Sequence, residues 1–167
     1  IYRLRDSKLL TSEEREKLAR KIKRTCLWSV GEASQREVDK FKLTKATQLA
    51  FGRAIRTLKK KPDLILADGF KFFSSAPCRP LLKGDMTCLS IAAASIIAKV
   101  HRDKLMRKLH RSCRKYRFDL HKGYGTKLHQ ARLAKHGPSE HHRKNYRPIK
   151  KLLRTKKSQA VDKPGSV

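Results

Sequence analysis

The chain has 167 residues, which suits one domain of the common size of roughly 100–150 residues. Only 38% of the residues are hydrophobic, so the core is thin, and 43 Lys plus Arg against 14 Asp plus Glu leave a formal net charge of +29. That surplus attracts polyanions, nucleic acid first, while four scattered cysteines without a CxxC pair, and the lack of a long apolar run, argue against a zinc finger, a disulfide-stapled secreted scaffold and a membrane span.

Residues up to Leu10 read as a linker containing Asp6-Ser7-Lys8-Leu9. Thr11-Ser12-Glu13-Glu14 supplies a hydroxyl cap and two acids for a positive helix end, so a helix is predicted to about Thr25 with Leu18, Ile22 and Leu27 inward. Cys26–Gly31 reads as a strand. A second helix is predicted over about Glu37–Lys60, where Leu43, Ala46, Leu49, Ala50, Ala54 and Leu58 recur at helical spacing. Asp63–Asp68 is a short apolar run ended by Asp68-Gly69, the clearest strand; Phe70–Pro80 is a loop, and Leu81-Leu82 a short strand closed by Lys83-Gly84-Asp85.

Cys88–Leu109 is the strongest predicted helix, with Leu89, Ala92, Ala93, Ile96 and Val100 on its core face. Lys115–Thr126 is a basic, aromatic loop, Lys127–Lys135 a short helix stopped by Gly137-Pro138, and Glu140–Leu153 a basic, partly helical stretch. The domain is predicted over 1–153, with 154–167 a disordered polar tail. Strands alternating with helices make the class α/β.

Asp68 and Asp85 carry the strongest chemical signal. Each ends a predicted strand beside a glycine, and open α/β sheets place their sites at that edge. Two carboxylates meeting there can share Mg²⁺ or Mn²⁺, hard ions that prefer oxygen ligands. The alternatives stay open: Asp68-Gly69 is also an ordinary turn, and Asp85 also suits a helix cap. Asp103 reads as an ion-paired structural residue within its helix; His141-His142-Arg143 could bind a metal, but beside Arg and Lys it reads rather as a segment meeting phosphate or solvent. Tyr116, Phe118 and Tyr124 either stack on sugars and bases or pack beneath their loop.

Four segments stand in a fixed order: Lys83-Gly84-Asp85; Ser90-Ile91-Ala92-Ala93-Ala94-Ser95-Ile96-Ile97-Ala98-Lys99-Val100-His101-Arg102-Asp103; His121-Lys122-Gly123-Tyr124-Gly125-Thr126 with His129; and Gly137-Pro138-Ser139-Glu140-His141-His142-Arg143. With Asp6-Ser7-Lys8-Leu9, Ala33-Ser34, Glu37-Val38-Asp39, Ala46-Thr47 and Asp68-Gly69, the series closely resembles ribonuclease HII over about residues 4–150. The resemblance implies a ribonuclease H-like fold with a helical C-terminal extension. It implies hydrolysis of the RNA strand of RNA·DNA hybrids, and incision at ribonucleotides embedded in DNA, leaving 3′-hydroxyl and 5′-phosphate ends. Asp68 and Asp85 correspond to two of the family's four metal-holding acids, with Mg²⁺ or Mn²⁺ at a two-metal site. Tyr124 matches the tyrosine that stacks on deoxyribose, and Lys8, Lys122, Gly123 and Arg143 fall on nucleic-acid contacts.

The departures carry equal information. The family's Asp-Glu pair on its first strand and its Gly-Arg-Gly turn, which reads the ribose 2′-hydroxyl, are not in this sequence, and Lys42 stands where the family usually has Asn. The chain begins with Ile1 rather than Met. The expectation is therefore a partial sequence of an active enzyme, lacking the first two strands and inactive as it stands. It is also expected to be monomeric and cytoplasmic, with reduced, mostly buried thiols. Two other functions compete: a non-catalytic RNA- or hybrid-binding module, and a ribosome-associated structural protein. The basic runs Arg102–Lys115 and Arg143–Lys157 are candidate backbone contacts, or else a solvated surface.

Overall fold

The computed structural model describes residues 10–161, with side chains described for 10–154. Within that range the order is α1 (Ser12–Thr25), α2 (Gln35–Thr57), β1 (Ile65–Asp68), β2 (Cys78–Leu81), α3 (Gly84–Thr87), α4 (Leu89–Ser112), a 3₁₀ turn (Arg114–Tyr116), α5 (Phe118–His121), α6 (Lys127–His136) and α7 (Arg147–Val161). The class is α/β, mostly helical, with one parallel two-stranded sheet among the described residues. The described residues fold as two compact units, one within 10–33 and 44–105, the other within 34–43 and 106–161.

In the first unit, α1 begins with a full capping box. Glu14 N–H donates to Thr11 Oγ1 at 3.2 Å, and Thr11 N–H donates back to Glu14 Oε2 at 2.9 Å. Its inward face, Ala19 and Ile22, packs on Ala92, Ile96, Ile97 and Val100 of α4, and Leu10, Leu18, Val30 and Ala93 close the edges. The run Ser90–Ala98 suits this contact, because its small and β-branched residues bring the two helices close. A smaller aromatic cluster joins Phe51 of α2 to Phe70 and Phe72, with the Phe51 and Phe72 rings stacked at 4.8 Å.

Cys26–Gly31 is not a strand. Among the described residues it pairs with no ladder and lies instead along the second part of α2. There Ser29 Oγ donates to the Ala54 carbonyl at 2.6 Å, and Arg53 Nη1 donates to the Glu32 carbonyl at 2.6 Å. Leu27 is exposed rather than inward. The second strand also sits earlier than its apolar pair suggested: β2 is Cys78–Leu81, and Leu82 is exposed, as are Leu43 of α2 and Leu89 of α4. The second helix starts two residues earlier than expected, because Ser34 caps it. Glu37 N–H donates to Ser34 Oγ at 3.2 Å, and Glu37 Oε2 accepts from Ser34 N–H at 2.8 Å. It breaks at Lys42, whose φ of 63° and ψ of 169° are not helical.

The second unit has its own core of Tyr116, Phe118, Leu133 and Ile149, flanked by Met106, Leu109, Cys113, Leu152 and Leu153. Asp39 ties the first part of α2 to the segment before α7, its two carboxylate oxygens accepting from the backbone N–H groups of Lys144 and Asn145 at 2.9 Å each. α7 continues across position 154 to Val161, where a disordered tail was predicted; residues 162–167 of that tail, and Lys8, lie outside the described residues. The thiols are free, with Cys26 exposed and the other three half-buried, so they are less enclosed than the sequence suggested.

Candidate active site and nucleic-acid interface

The acid site belongs to the first unit. β1 and β2 run parallel with Ile65 opposite Cys78 and Asp68 opposite Leu81, and Gly69 N–H donates to the Leu81 carbonyl at 2.9 Å. Asp68 therefore leaves the sheet at the same rim as the turn after β2. That turn reverses at Lys83, which adopts the left-handed conformation (φ 52°, ψ 40°), and opens the short helix α3. Asp68 Oδ1 accepts from Gly84 N–H at 2.8 Å. This bond fixes the Asp68 carboxylate one residue from Asp85 and leaves its second oxygen to other partners.

Gly84 is closely packed on its Cα side, chiefly by the end of the Ile91 side chain. A Cβ there would come within 2.5 Å of Ile91 Cδ1 and 3.5 Å of Asp68 Oδ1. Asp85 lies within the first turn of α3, not at the start of α4, so the helix-cap alternative for the long helix does not hold. Asp68 is exposed and Asp85 half-buried. The donor set is two hard carboxylates, which fits a divalent ion as part of a larger ligand set; among the described residues no group of three His, Cys, Asp or Glu gathers at a possible metal site.

The aromatic loop belongs to the second unit, and its tyrosines divide. Tyr116 is 1% exposed and Phe118 2% exposed, so both are core residues. Tyr116 Oη donates to the Gly137 carbonyl at 2.9 Å, which satisfies the one polar atom it buries. Tyr124, by contrast, is 49% exposed. It sits between Lys122 and Gly123, both at positive φ, and Thr126, whose hydroxyl caps α6 by accepting from His129 N–H at 3.3 Å. Lys122 Nζ donates back to the Asp119 carbonyl. Arg143 lies over the Tyr146 ring at 4.9 Å.

His142 corrects the reading of the His-His-Arg segment as solvent- or phosphate-facing, for it is buried with His129 and His121 around Phe118. Burial, reinforced by His129, pushes the His142 imidazole down to about 4. Burial also lowers that of His129, against the opposing pull of its bond to the Tyr124 carbonyl. Both rings are neutral at physiological pH. Sequence reasoning assigned His121 and His129 no role and set His142 toward phosphate or solvent; three imidazoles bracketing one Gly-Tyr-Gly turn were the available signal. Asp103 is buried within α4, and its Oδ1 has no hydrogen-bond partner among the described residues, so burial rather than the expected ion pair is what the structure shows.

The family description that matches is Ribonuclease HII, over residues 1–149. The chain is 43% identical over 152 residues to the ribonuclease HII of Pelagibacter ubique (strain HTCC1062), covering 90% of this chain and 82% of that protein. It is 44% identical over 153 residues to that of Bordetella avium (strain 197N), covering 88% and 74%. With that of Macrococcus caseolyticus (strain JCSC5402) it shares 40% over 162 residues, covering 96% of this chain and 61% of the relative. The fold superposes on the crystal structure of the ribonuclease H2 from Pyrococcus horikoshii OT3 with a TM-score of 0.69, at 21% identity, over 91% of this chain and 81% of that one. The matched span contains β1, β2, the acid turn, α4 and the whole tyrosine loop, and on that extent the chain belongs to the ribonuclease HII family.

Proposed function

We propose that this protein is a metal-dependent endonuclease that hydrolyses the RNA strand of RNA·DNA hybrids and incises DNA at embedded ribonucleotides. The observation that carries the reading is the bond from Gly84 N–H to Asp68 Oδ1, which brings the Asp68 carboxylate to the residue before Asp85 at one rim of a parallel sheet, in a ribonuclease HII chain. Asp68 and Asp85 act as ligands for Mg²⁺ or Mn²⁺, completed by an Asp-Glu pair that is not within these 167 residues. Paired divalent ions, when bound, stabilise the charge that builds on a phosphodiester during attack by water. Water oxygen joins phosphorus as the bond to the 3′-oxygen breaks, and that oxygen takes a proton to leave a 3′-hydroxyl and a 5′-phosphate. Tyr124 offers its ring to a sugar face, Lys8, Lys122 and Arg143 meet backbone phosphate, and Gly123 lies against the substrate without donating, its N–H being held by His121.

The test joins residue 1 to an Asp-Glu- and Gly-Arg-Gly-bearing segment from a family member and supplies Mg²⁺ or Mn²⁺ with a duplex holding one ribonucleotide. Incision is expected, with Asp85→Asn and Asp68→Asn each losing on the order of 10²-fold or more, as removal of a charge-stabilising group does. Full cleavage by Asp85→Asn rejects the assignment. A non-catalytic hybrid-binding module, the competing reading, predicts binding that is indifferent to EDTA and no incision by the completed protein.

A further inference from the structure

Four backbone groups fix the protonation of three buried rings in the second unit. His142 Nδ1 lies 3.0 Å from Ser139 N–H, which can only donate, so that nitrogen is an acceptor and the proton sits on Nε2. His129 Nδ1 lies 2.9 Å from the Tyr124 carbonyl, which can only accept, so the proton sits on Nδ1 and Nε2 is an acceptor. The facing nitrogens are His142 Nε2 and His129 Nε2, 3.2 Å apart, one a donor and the other an acceptor. His121 closes the set: Nδ1 accepts from Gly123 N–H at 3.1 Å, and Nε2–H donates to the Tyr116 carbonyl at 2.7 Å. Its ring stacks on that of His129 with centroids 4.2 Å apart and planes 10° from parallel. A second proton on either His129 or His142 would set N–H against N–H, so the arrangement holds only for neutral rings.

We infer that His121, His129 and His142 are positioning residues for Tyr124: an ordered chain of hydrogen bonds from Ser139 through His142 and His129 ends on the Tyr124 carbonyl, and His121 holds the neighbouring Gly123 N–H. Between Lys122 and Thr126 the loop has no helix or strand; its own backbone bonds run from Tyr124 N–H to the His121 carbonyl at 2.8 Å and from Thr126 N–H to the Tyr124 carbonyl at 2.9 Å, and the left-handed Lys122 and Gly123 leave the Gly123 N–H to a side chain. The histidines add side-chain partners from α5, α6 and the Gly137–Arg143 segment, while the Tyr124 ring stays half-exposed. This inference rests on the reading of Tyr124 as a nucleic-acid contact.

Long-range ¹H–¹⁵N spectra of the histidines in the 167-residue chain at neutral pH test the chain of bonds directly. The Nδ1–H form is expected for His129 and the Nε2–H form for His121 and His142; the opposite form at His129 or His142 overturns the inference. Binding of a labelled RNA·DNA hybrid, with EDTA present, tests the consequence. Tyr124→Ala and His129→Phe should each weaken it by about tenfold, the scale of one lost stacking contact. The double variant should be no weaker than either, and His129→Asn, which keeps a donor near the Nδ1 position, should recover most of the loss. Wild-type binding by Tyr124→Ala removes the underlying reading and the inference with it. A loss in Tyr124→Ala with none in His129→Phe, or with additive losses in the double variant, overturns the inference alone. If His129→Phe does not fold, His129→Asn decides: near-wild-type binding supports positioning, and a loss equal to that of Tyr124→Ala refutes it.

Discussion

Lys42 is the residue whose chemistry fits its backbone least well. At φ 63° and ψ 169° it occupies a region that is close to exclusive to glycine, and holding a side chain there costs about 1–3 kcal/mol. The sequence registered the position only as a departure, a lysine where the family usually carries asparagine; at ψ 169° the backbone lies outside the left-handed helical region that asparagine favours, so the dihedrals single out glycine rather than asparagine. Lys42→Gly removes the Cβ conflict and returns part of the gain as unfolded-chain entropy, roughly 0.5–1 kcal/mol. The net expectation is a stabilisation of about 1 kcal/mol, with little change for Lys42→Asn. Thermal unfolding reads it as a rise in Tm of a few degrees, and a fall in Tm for the glycine variant would show that the position is not strained.

At the scale of elements, the helices were legible and one strand was not, for a physical reason. α1 announces itself through Thr11 and Glu14, and α4 through a long alanine-rich run, because caps and helical periodicity are local properties. A strand is defined by its neighbours. Cys26–Gly31 has strand-like composition, yet within the described residues Cys26 N–H goes to the Ile22 carbonyl of α1 and Ser29 Oγ to the Ala54 carbonyl of α2. Gly31 shows how tight that contact is: a Cβ there would lie 1.9 Å from the Ala50 carbonyl oxygen and 2.6 Å from Ala54 N, both rigid helix backbone. Gly31→Ala is expected to destabilise the chain by about 3 kcal/mol or more, beyond ordinary overpacking, since no side chain can yield. Urea denaturation would show the midpoint falling; an unchanged midpoint would mean that the segment lifts freely from α2. Asp68 and Asp85 stood out in the sequence as candidates beside glycines, whereas the bond from Gly84 to Asp68, and the histidine partners of Tyr124, depend on tertiary proximity that spacing does not encode.

For the molecule as a whole, charge decides more than core. A formal +29 on 167 residues works against compaction, and the two units each close around a small apolar cluster rather than sharing the task. Such a surplus is useful only where a polyanion neutralises it. The exposed face of α7 offers a sharp case, with Arg147, Lys150 and Lys151 outward and Ile149, Leu152 and Leu153 turned to the core of the second unit. If these cations sit on backbone phosphate, each contributes about −0.9 to the slope of log Kobs against log salt on duplex, through counterion release. If they are a solvated surface, they contribute almost nothing, because screening at physiological salt confines exposed charges to about 8 Å. The triple replacement of Arg147, Lys150 and Lys151 by Gln is expected to leave the fold intact, since none of the three is buried, and to flatten the slope for an RNA·DNA hybrid by about 2–3. A slope within 0.5 of wild type, measured between 50 and 300 mM salt by fluorescence anisotropy, would assign this face to solvent and leave the binding charge to the rest of the surface.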